Sequence, residues 1–490
     1  MDTRGAGSHV DDELEPQVDA CLLLSFPGTT VPDELVPWLQ RGLGAVILFA
    51  HNIPDRRQAA DLVTELRKHA PDLLVGIDEE GGDVTRLDAL NGSAYPGNAA
   101  LGHVDDVALT AEVAAAIGAE LAALGINLTF APVADVNTDP RNPVIGVRSF
   151  GGDPALVARH TRAAVQGIQQ ARVAACAKHF PGHGATSLDS HTNLPHVAGD
   201  LPRIAARDLP PFVAAVDAGV RAIMTAHVVY DELDDKPATV SRRILTGLLR
   251  EMLGFDGVII TDALKMAAIR DTIGVAEGAV RSLAAGADLV CIDVDLAAQQ
   301  EARAAVLAAV RGGRLDRAQL AASAARVHAL QTWARPVTNV TGVTDATDVG
   351  LDAARRALIL DCTDLPLHRA PYVIDAGARP IAGIAGTSAG LLAALRHRDP
   401  ATRGAVVQPP VDVTALLEQA GDQPVVLAVR DAHRLDGQRA LLDQVLAARP
   451  DAVVVGCGTA ADAPLAPGRY VGTLGRARVN LQAAAEVLLP

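Results

Sequence analysis

The chain has 490 residues, 49% of them apolar and only 3% aromatic, with a formal net charge of -15. That length exceeds one comfortable core and predicts two domains, while the apolar share excludes a disordered chain. The acidic balance argues against nucleic acid or an anionic membrane as partner, since the mean field would repel both.

Taken from the N-terminus, Met1 to Gln17 is acidic and polar, without the basic and apolar regions of a signal peptide. No run of eighteen apolar residues follows, so a cytoplasmic chain without a membrane span is expected. Short apolar runs then recur: Cys21 to Ser25, Ala45 to Phe49, Leu73 to Ile77, Leu128 to Val133, Val173 to Ala177, Ala222 to Met224, Val258 to Ile260 and Leu289 to Ile292. Between them lie stretches of helical propensity, such as Arg56 to Ala70, Asp106 to Leu124, Pro154 to Ala171, Leu201 to Ala218 and Ser241 to Leu253. Eight such alternations over roughly 320 residues predict a (β/α)8 TIM-type barrel. Polar groups follow the runs repeatedly: Asp78-Glu79-Glu80, then Asp135 and Asn137, Lys178-His179, His227, and Asp262. Such a rim of titratable groups suits a barrel better than an open sheet, which needs only one switch point.

The run Pro336 to Gly350, rich in Thr, Val, Gly and Asp without helical periodicity, reads as a linker between a catalytic barrel domain, 1–335, and a smaller α/β sandwich-like domain, 351–490. In the latter, Leu351 to Ala357, Leu391 to Arg396, Val413 to Ala420 and Gln438 to Ala448 are expected helices. Tyr372 to Ile374, Ala405 to Val407, Val425 to Val429 and Ala452 to Val455 are expected strands. No polar cluster comparable to the barrel's is visible there, so this domain is expected to be dispensable for chemistry. The five cysteines, Cys21, Cys176, Cys291, Cys362 and Cys457, lack CxxC spacing and read as reduced, mostly buried thiols.

The densest chemistry lies in Lys178-His179-Phe180-Pro181-Gly182-His183-Gly184-Ala185-Thr186-Ser187-Leu188-Asp189-Ser190-His191, expected where a strand ends and a loop opens. A metal site on His179, His183 and His191 is one reading of so many imidazoles. Pairing of His179 with His183 along a helix is excluded by the intervening Pro181 and Gly182.

Taken together, KHFPGHG followed by DSH, the earlier DEEGGDVTR (78–86) and the later ITDALKM (260–266) resemble family 3 glycoside hydrolases, specifically the β-N-acetylglucosaminidase subgroup. The resemblance covers the barrel half and extends more loosely to the C-terminal α/β domain that some members carry. It implies a retaining hydrolase of terminal β-linked N-acetylglucosamine that works through a covalent glycosyl-enzyme. Asp262 matches the nucleophile, although the family's usual Ser-Asp-Asp-Leu reads Thr261-Asp262-Ala263-Leu264 here. Asp189 and His191 match an acid/base dyad in which the carboxylate orients the imidazole, a group whose unperturbed pKa suits proton transfer near neutral pH. By the same matching, Asp78 and Arg86, Arg148, Lys178 with His179, and His227 are substrate-binding residues, with Gly81-Gly82 allowing a tight turn. Glu79, Glu80 and His183 are given supporting roles.

Two alternatives stay open. A phosphorylase would resolve the glycosyl-enzyme with phosphate, whose approach a histidine base does not repel. A metal-dependent barrel hydrolase would use His179, His183, His191 and Asp189 as ligands. The preferred reading needs no cofactor and no metal. It names a small glycoside or a muropeptide-type fragment as partner, without nucleic acid or membrane, and leaves monomer and homodimer open.

Overall fold

The computed structural model describes residues 13–293, 295–335, 346–377 and 390–490. Residues 336–345 of the expected linker and the first twelve residues of the acidic N-terminus lie outside them. By its internal contacts the chain divides into two compact units, one comprising 1–79, 114–136 and 153–343, the other 80–113, 137–152 and 344–490. Two segments that precede the expected linker thus pack with the C-terminal residues.

The first unit is a parallel barrel. Its strands are Leu22–Leu24, Ala45–Leu48, Leu74–Ile77, Leu128–Thr129, Ala174–Phe180, Ala222–Thr225, Val258–Ile260 and Val290–Ile292. The first pairs with the second and with the last, and a parallel bridge from Ile260 to Leu289 closes the ring. Alternate residues, among them Leu23, Ile47, Leu74, Phe130, Cys176, Met224, Ile260 and Cys291, fill the interior with aliphatic and sulfur side chains and one aromatic ring. Gly76 makes room there, since a Cβ at that position would stand 2.8 Å from the Phe130 ring. The outer helices begin where aspartates can cap them: Asp55, Asp153, Asp295 and Asp316 accept from the backbone N–H groups of Gln58, Ala155, Ala298 and Ala318.

Two local expectations are corrected. The stretch Leu201 to Ala218 forms two helices, Leu201–Arg207 and Pro210–Asp217, because Pro210 and Pro211 cannot continue a preceding helix but suit the first turn of a new one. The fifth barrel strand runs through Lys178 and His179 to Phe180 instead of ending before them, with a register irregularity between Ala177 and Phe180.

The second unit is built on a six-stranded sheet ordered Ile359–Cys362, Arg469–Gly472, Val453–Gly456, Val425–Val429, Tyr372–Asp375 and Arg403–Val406. Only the edge pair Ile359–Cys362 with Arg469–Gly472 is antiparallel. Apolar clusters cover both faces, one around Ile374, Leu427 and Leu442, the other around Val373, Val426 and Leu481, so the sheet is sandwiched between helices. The helix Ala346–Arg356 takes up the end of the expected linker, with Asp348 in its first turn and Arg355 and Arg356 in its last, charges that complement the helix dipole. No helix of the described residues is long and apolar enough to cross a membrane.

Candidate active site

Asp262 stands just beyond the strand Val258–Ile260, and one of its carboxylate oxygens accepts the Ala263 N–H at 2.7 Å. Burial raises its pKa, but the imidazoles of His227, His179 and His191, together with that N–H, outweigh the effect and hold the carboxyl below its ordinary range. The result is a carboxylate kept ionised in an enclosed setting, faced by histidines from three places in the sequence.

Each of those histidines is held by a different partner. His179 Nδ1 lies 2.7 Å from Asp135 Oδ2, and the other oxygen of Asp135 accepts the backbone N–H of His179 at 3.3 Å and of His183 at 2.6 Å. Asp135 is fully buried. That burial alone would raise its carboxyl, yet the imidazole of His179 and the other donors leave it lowered. His227 is also fully buried, which lowers its pKa, so at neutral pH it carries one ring proton. Its Nε2 faces the Ala263 carbonyl at 3.1 Å, which can only accept, so the proton sits there. Nδ1 lies 2.7 Å from the Thr239 hydroxyl, which also meets the Thr225 hydroxyl at 2.7 Å and the Ala226 carbonyl at 3.0 Å.

His191 Nδ1 lies 2.8 Å from Asp189 Oδ1, and His191 remains partly exposed, at 32% of its side chain. Burial raises the Asp189 carboxyl, but the imidazole and backbone N–H of His191 more than offset this and leave it lowered. The loop between them and the strand is braced from within. His183 bridges Thr186 through Nδ1 and Ser190 through Nε2, each at 3.0 Å, and burial pushes its pKa down to about 4. Gly182 threads a narrow passage, its carbonyl accepting the Tyr230 hydroxyl at 2.5 Å while an added Cβ would stand 3.0 Å from that of Asp208.

The expected binding residues divide differently from the sequence pairing. Asp78 pairs with Lys178 at 2.8 Å, both in the first unit. Arg86 and Arg148 belong to the second unit, where both are buried. Arg148 forks onto Glu80 through Nε and Nη2 at 2.9 and 2.8 Å, a bidentate ion pair of the strong kind. Gly82 is in the left-handed region and its Cα approaches Gly97 so closely that a Cβ would come within 2.5 Å of it, so the turn there requires glycine.

The sequence puts Asp135 at the rim without a role, and its only signal there is a carboxylate after the fourth barrel run. Thr239 and Thr225 gave none. Among the described residues no group of three or more His, Cys, Asp or Glu side chains is arranged to hold a metal ion. The reason is visible in the partners above, since His179 and His191 are each turned to a different aspartate and His183 to two hydroxyls.

Comparison with known proteins bears on the chemistry. The family described as glycosyl hydrolase family 3 N terminal domain matches residues 24–330. Beta-hexosaminidase A of Pseudoalteromonas piscicida is 38% identical over 334 residues, 62% of this chain, and the match spans only 56% of that relative's length. Beta-hexosaminidase of Xanthomonas oryzae pv. oryzae is 38% identical over 306 residues, covering 61% of this chain and 90% of its own. Among solved structures, a glycoside hydrolase family 3 beta-N-acetylglucosaminidase from Paenibacillus sp. superposes with a TM-score of 0.88 at 34% identity, over 96% of this chain and 95% of that one.

Proposed function

The chain belongs to glycosyl hydrolase family 3, and from that premise we propose that it is a β-N-acetylhexosaminidase that releases terminal β-linked N-acetylglucosamine with retention. The observation that carries the reading is the ionised Asp262 carboxylate faced by His227, His179 and His191. In the first step an Asp262 oxygen bonds to the anomeric carbon as the glycosidic bond breaks, while His191 Nε2 gives its proton to the departing oxygen. In the second, His191 takes a proton from water, whose oxygen displaces Asp262 and regenerates the enzyme. Asp189 keeps the Nδ1 proton of His191 in place through both steps, and its negative charge stabilises the imidazolium.

Lys178 and His179, with Asp78, are proposed to bind hydroxyls of the terminal sugar, and Arg86 and Arg148 are proposed as substrate-binding residues on the strength of the family resemblance. Asp135 fixes the His179 ring, and His227 lies against the backbone of the nucleophile loop through Ala263. Muropeptide-type fragments met in the cytoplasm are the natural substrates in this reading, for which the support is the family resemblance.

The experiment is a panel of aryl glycosides differing at C2 and C4, run with and without phosphate. Selective release from the 2-acetamido β-glucoside, giving free sugar in both conditions, is expected. Preference for a 2-hydroxy sugar, or a sugar 1-phosphate as the main product, would overturn it.

A further inference from the structure

The second unit carries, at one rim of its sheet, a charged cluster that this mechanism does not use. Asp375 ends the strand Tyr372–Asp375, Arg430 follows Val425–Val429, Cys457 follows Val453–Gly456, and Arg476 lies in the loop after Arg469–Gly472. These are the carboxyl ends of parallel strands, the place where open α/β sheets bind their ligands. Here the rim receives a residue of the chain itself. Asp83, midway between Glu80 and Arg86 in the DEEGGDVTR segment, has Arg430 Nη1 at 2.5 Å from one oxygen and accepts the Arg476 backbone N–H at 2.5 Å on the other. The side chains of Asp83 and Arg430 are only 5% and 9% exposed. Arg476 is held in turn by Asp375 at 3.2 Å, and Gln438 binds the Arg430 N–H through its oxygen and the Ala376 carbonyl through its nitrogen.

A second anchor lies nearby in the same unit. His433 Nδ1 is 2.7 Å from Asp462 and Nε2 is 2.9 Å from the Pro140 carbonyl, in the segment 137–152 that carries Arg148. Carboxylate and carbonyl oxygens only accept, so His433 holds both when its ring is doubly protonated, a state that the Asp462 carboxylate favours by raising its pKa.

We propose that the carboxyl rim of the C-terminal sheet is a clamp on the two segments that carry Arg86 and Arg148, with Arg430, Arg476 and His433 as positioning residues acting through Asp83 and Pro140. The inference rests on the reading that those two arginines contact the substrate. A buried ion pair is a poor way to add stability, because apolar residues of equal volume do as well, but it fixes one register. The register fixed here is that of the loop between Glu80 and Arg86. The domain that the sequence leaves without chemistry thereby contributes to affinity.

The test compares the full-length wild type with Asp83→Asn, which keeps the shape and removes the charge, and with Arg430→Met. Amide hydrogen exchange over residues 80–98 is measured alongside KM and kcat on the aryl N-acetyl-β-glucosaminide. Both variants are expected to speed exchange in that segment and raise KM about tenfold or more, with kcat changed by less than about threefold. A merely structural role would leave KM unmoved in the variant that folds, and either unchanged KM or unchanged exchange overturns the clamp. Inactivity of the wild type on this glycoside would instead overturn the functional reading, while the exchange arm still reports on the clamp.

Discussion

His191 Nδ1 and Asp189 Oδ1 are 2.8 Å apart, and the same Asp189 oxygen accepts the His191 backbone N–H at 2.8 Å. A single carboxylate oxygen thus fixes both the place of the imidazole and the nitrogen that carries its permanent proton, leaving Nε2 for chemistry. Asp189→Asn keeps the shape but can present an amide N–H to Nδ1, which favours the wrong tautomer. It should lower kcat by about 10²- to 10⁴-fold with little change in melting temperature. An unchanged kcat would separate Asp189 from proton transfer.

His191→Ala should discriminate between leaving groups. Alkyl and sugar aglycones need protonation as they depart and should lose about 10²- to 10⁴-fold, whereas a nitrophenolate leaves unaided and should lose far less in the glycosylation step. Single-turnover rates on both classes check this. Equal losses would remove the acid role from His191.

Arg148 depends on Glu80 as its charge partner, with 7% and 4% of the two side chains exposed. Glu80→Ala removes the bidentate carboxylate from a buried guanidinium and should cost about 3–5 kcal/mol of stability, whereas Glu80→Gln retains one acceptor and should cost less. Denaturant unfolding measures both. If Arg148 contacts substrate, KM should rise in Glu80→Gln with kcat largely kept.

His183 predicts an acid limit to stability. Burial holds it at about 4, below the 6.5 of a free histidine. As pH falls through about 6.5 the unfolded chain takes up a proton that the folded chain refuses, so folding loses stability down to about pH 4. Between about pH 7.5 and about pH 5 this group should cost about 2 kcal/mol, and His183→Gln should lack that part of the decline. Parallel unfolding curves at the two pH values check the difference.

What the sequence disclosed tracks the range of the interactions involved. The eight barrel runs were legible because each is a short apolar block, and the Asp189-His191 unit because its partners are two residues apart. The pairing of Asp78 with Lys178 spans 100 positions and that of Arg476 with Asp83 spans 393, so no local pattern announces either. The motif instead sets Asp78 beside Arg86, its neighbour in the sequence. The strands Ile359–Cys362 and Arg469–Gly472 escaped notice because they form an edge pair. The first is half-exposed and interrupts its apolar run with Asp361, and the second opens on a charged Arg469. The role of Asp135 is decided by two backbone N–H groups and one imidazole more than forty residues away, contacts that exist only once the barrel has closed.

The central claim is that Asp262 bonds covalently to the sugar. Incubation with a fluorinated glycosyl inactivator bearing a good leaving group, followed by peptide mass mapping, tests it most directly. The prediction is a stoichiometric adduct on Asp262, lost together with activity in Asp262→Asn. An adduct on another carboxylate, or undiminished turnover by Asp262→Asn, would contradict it.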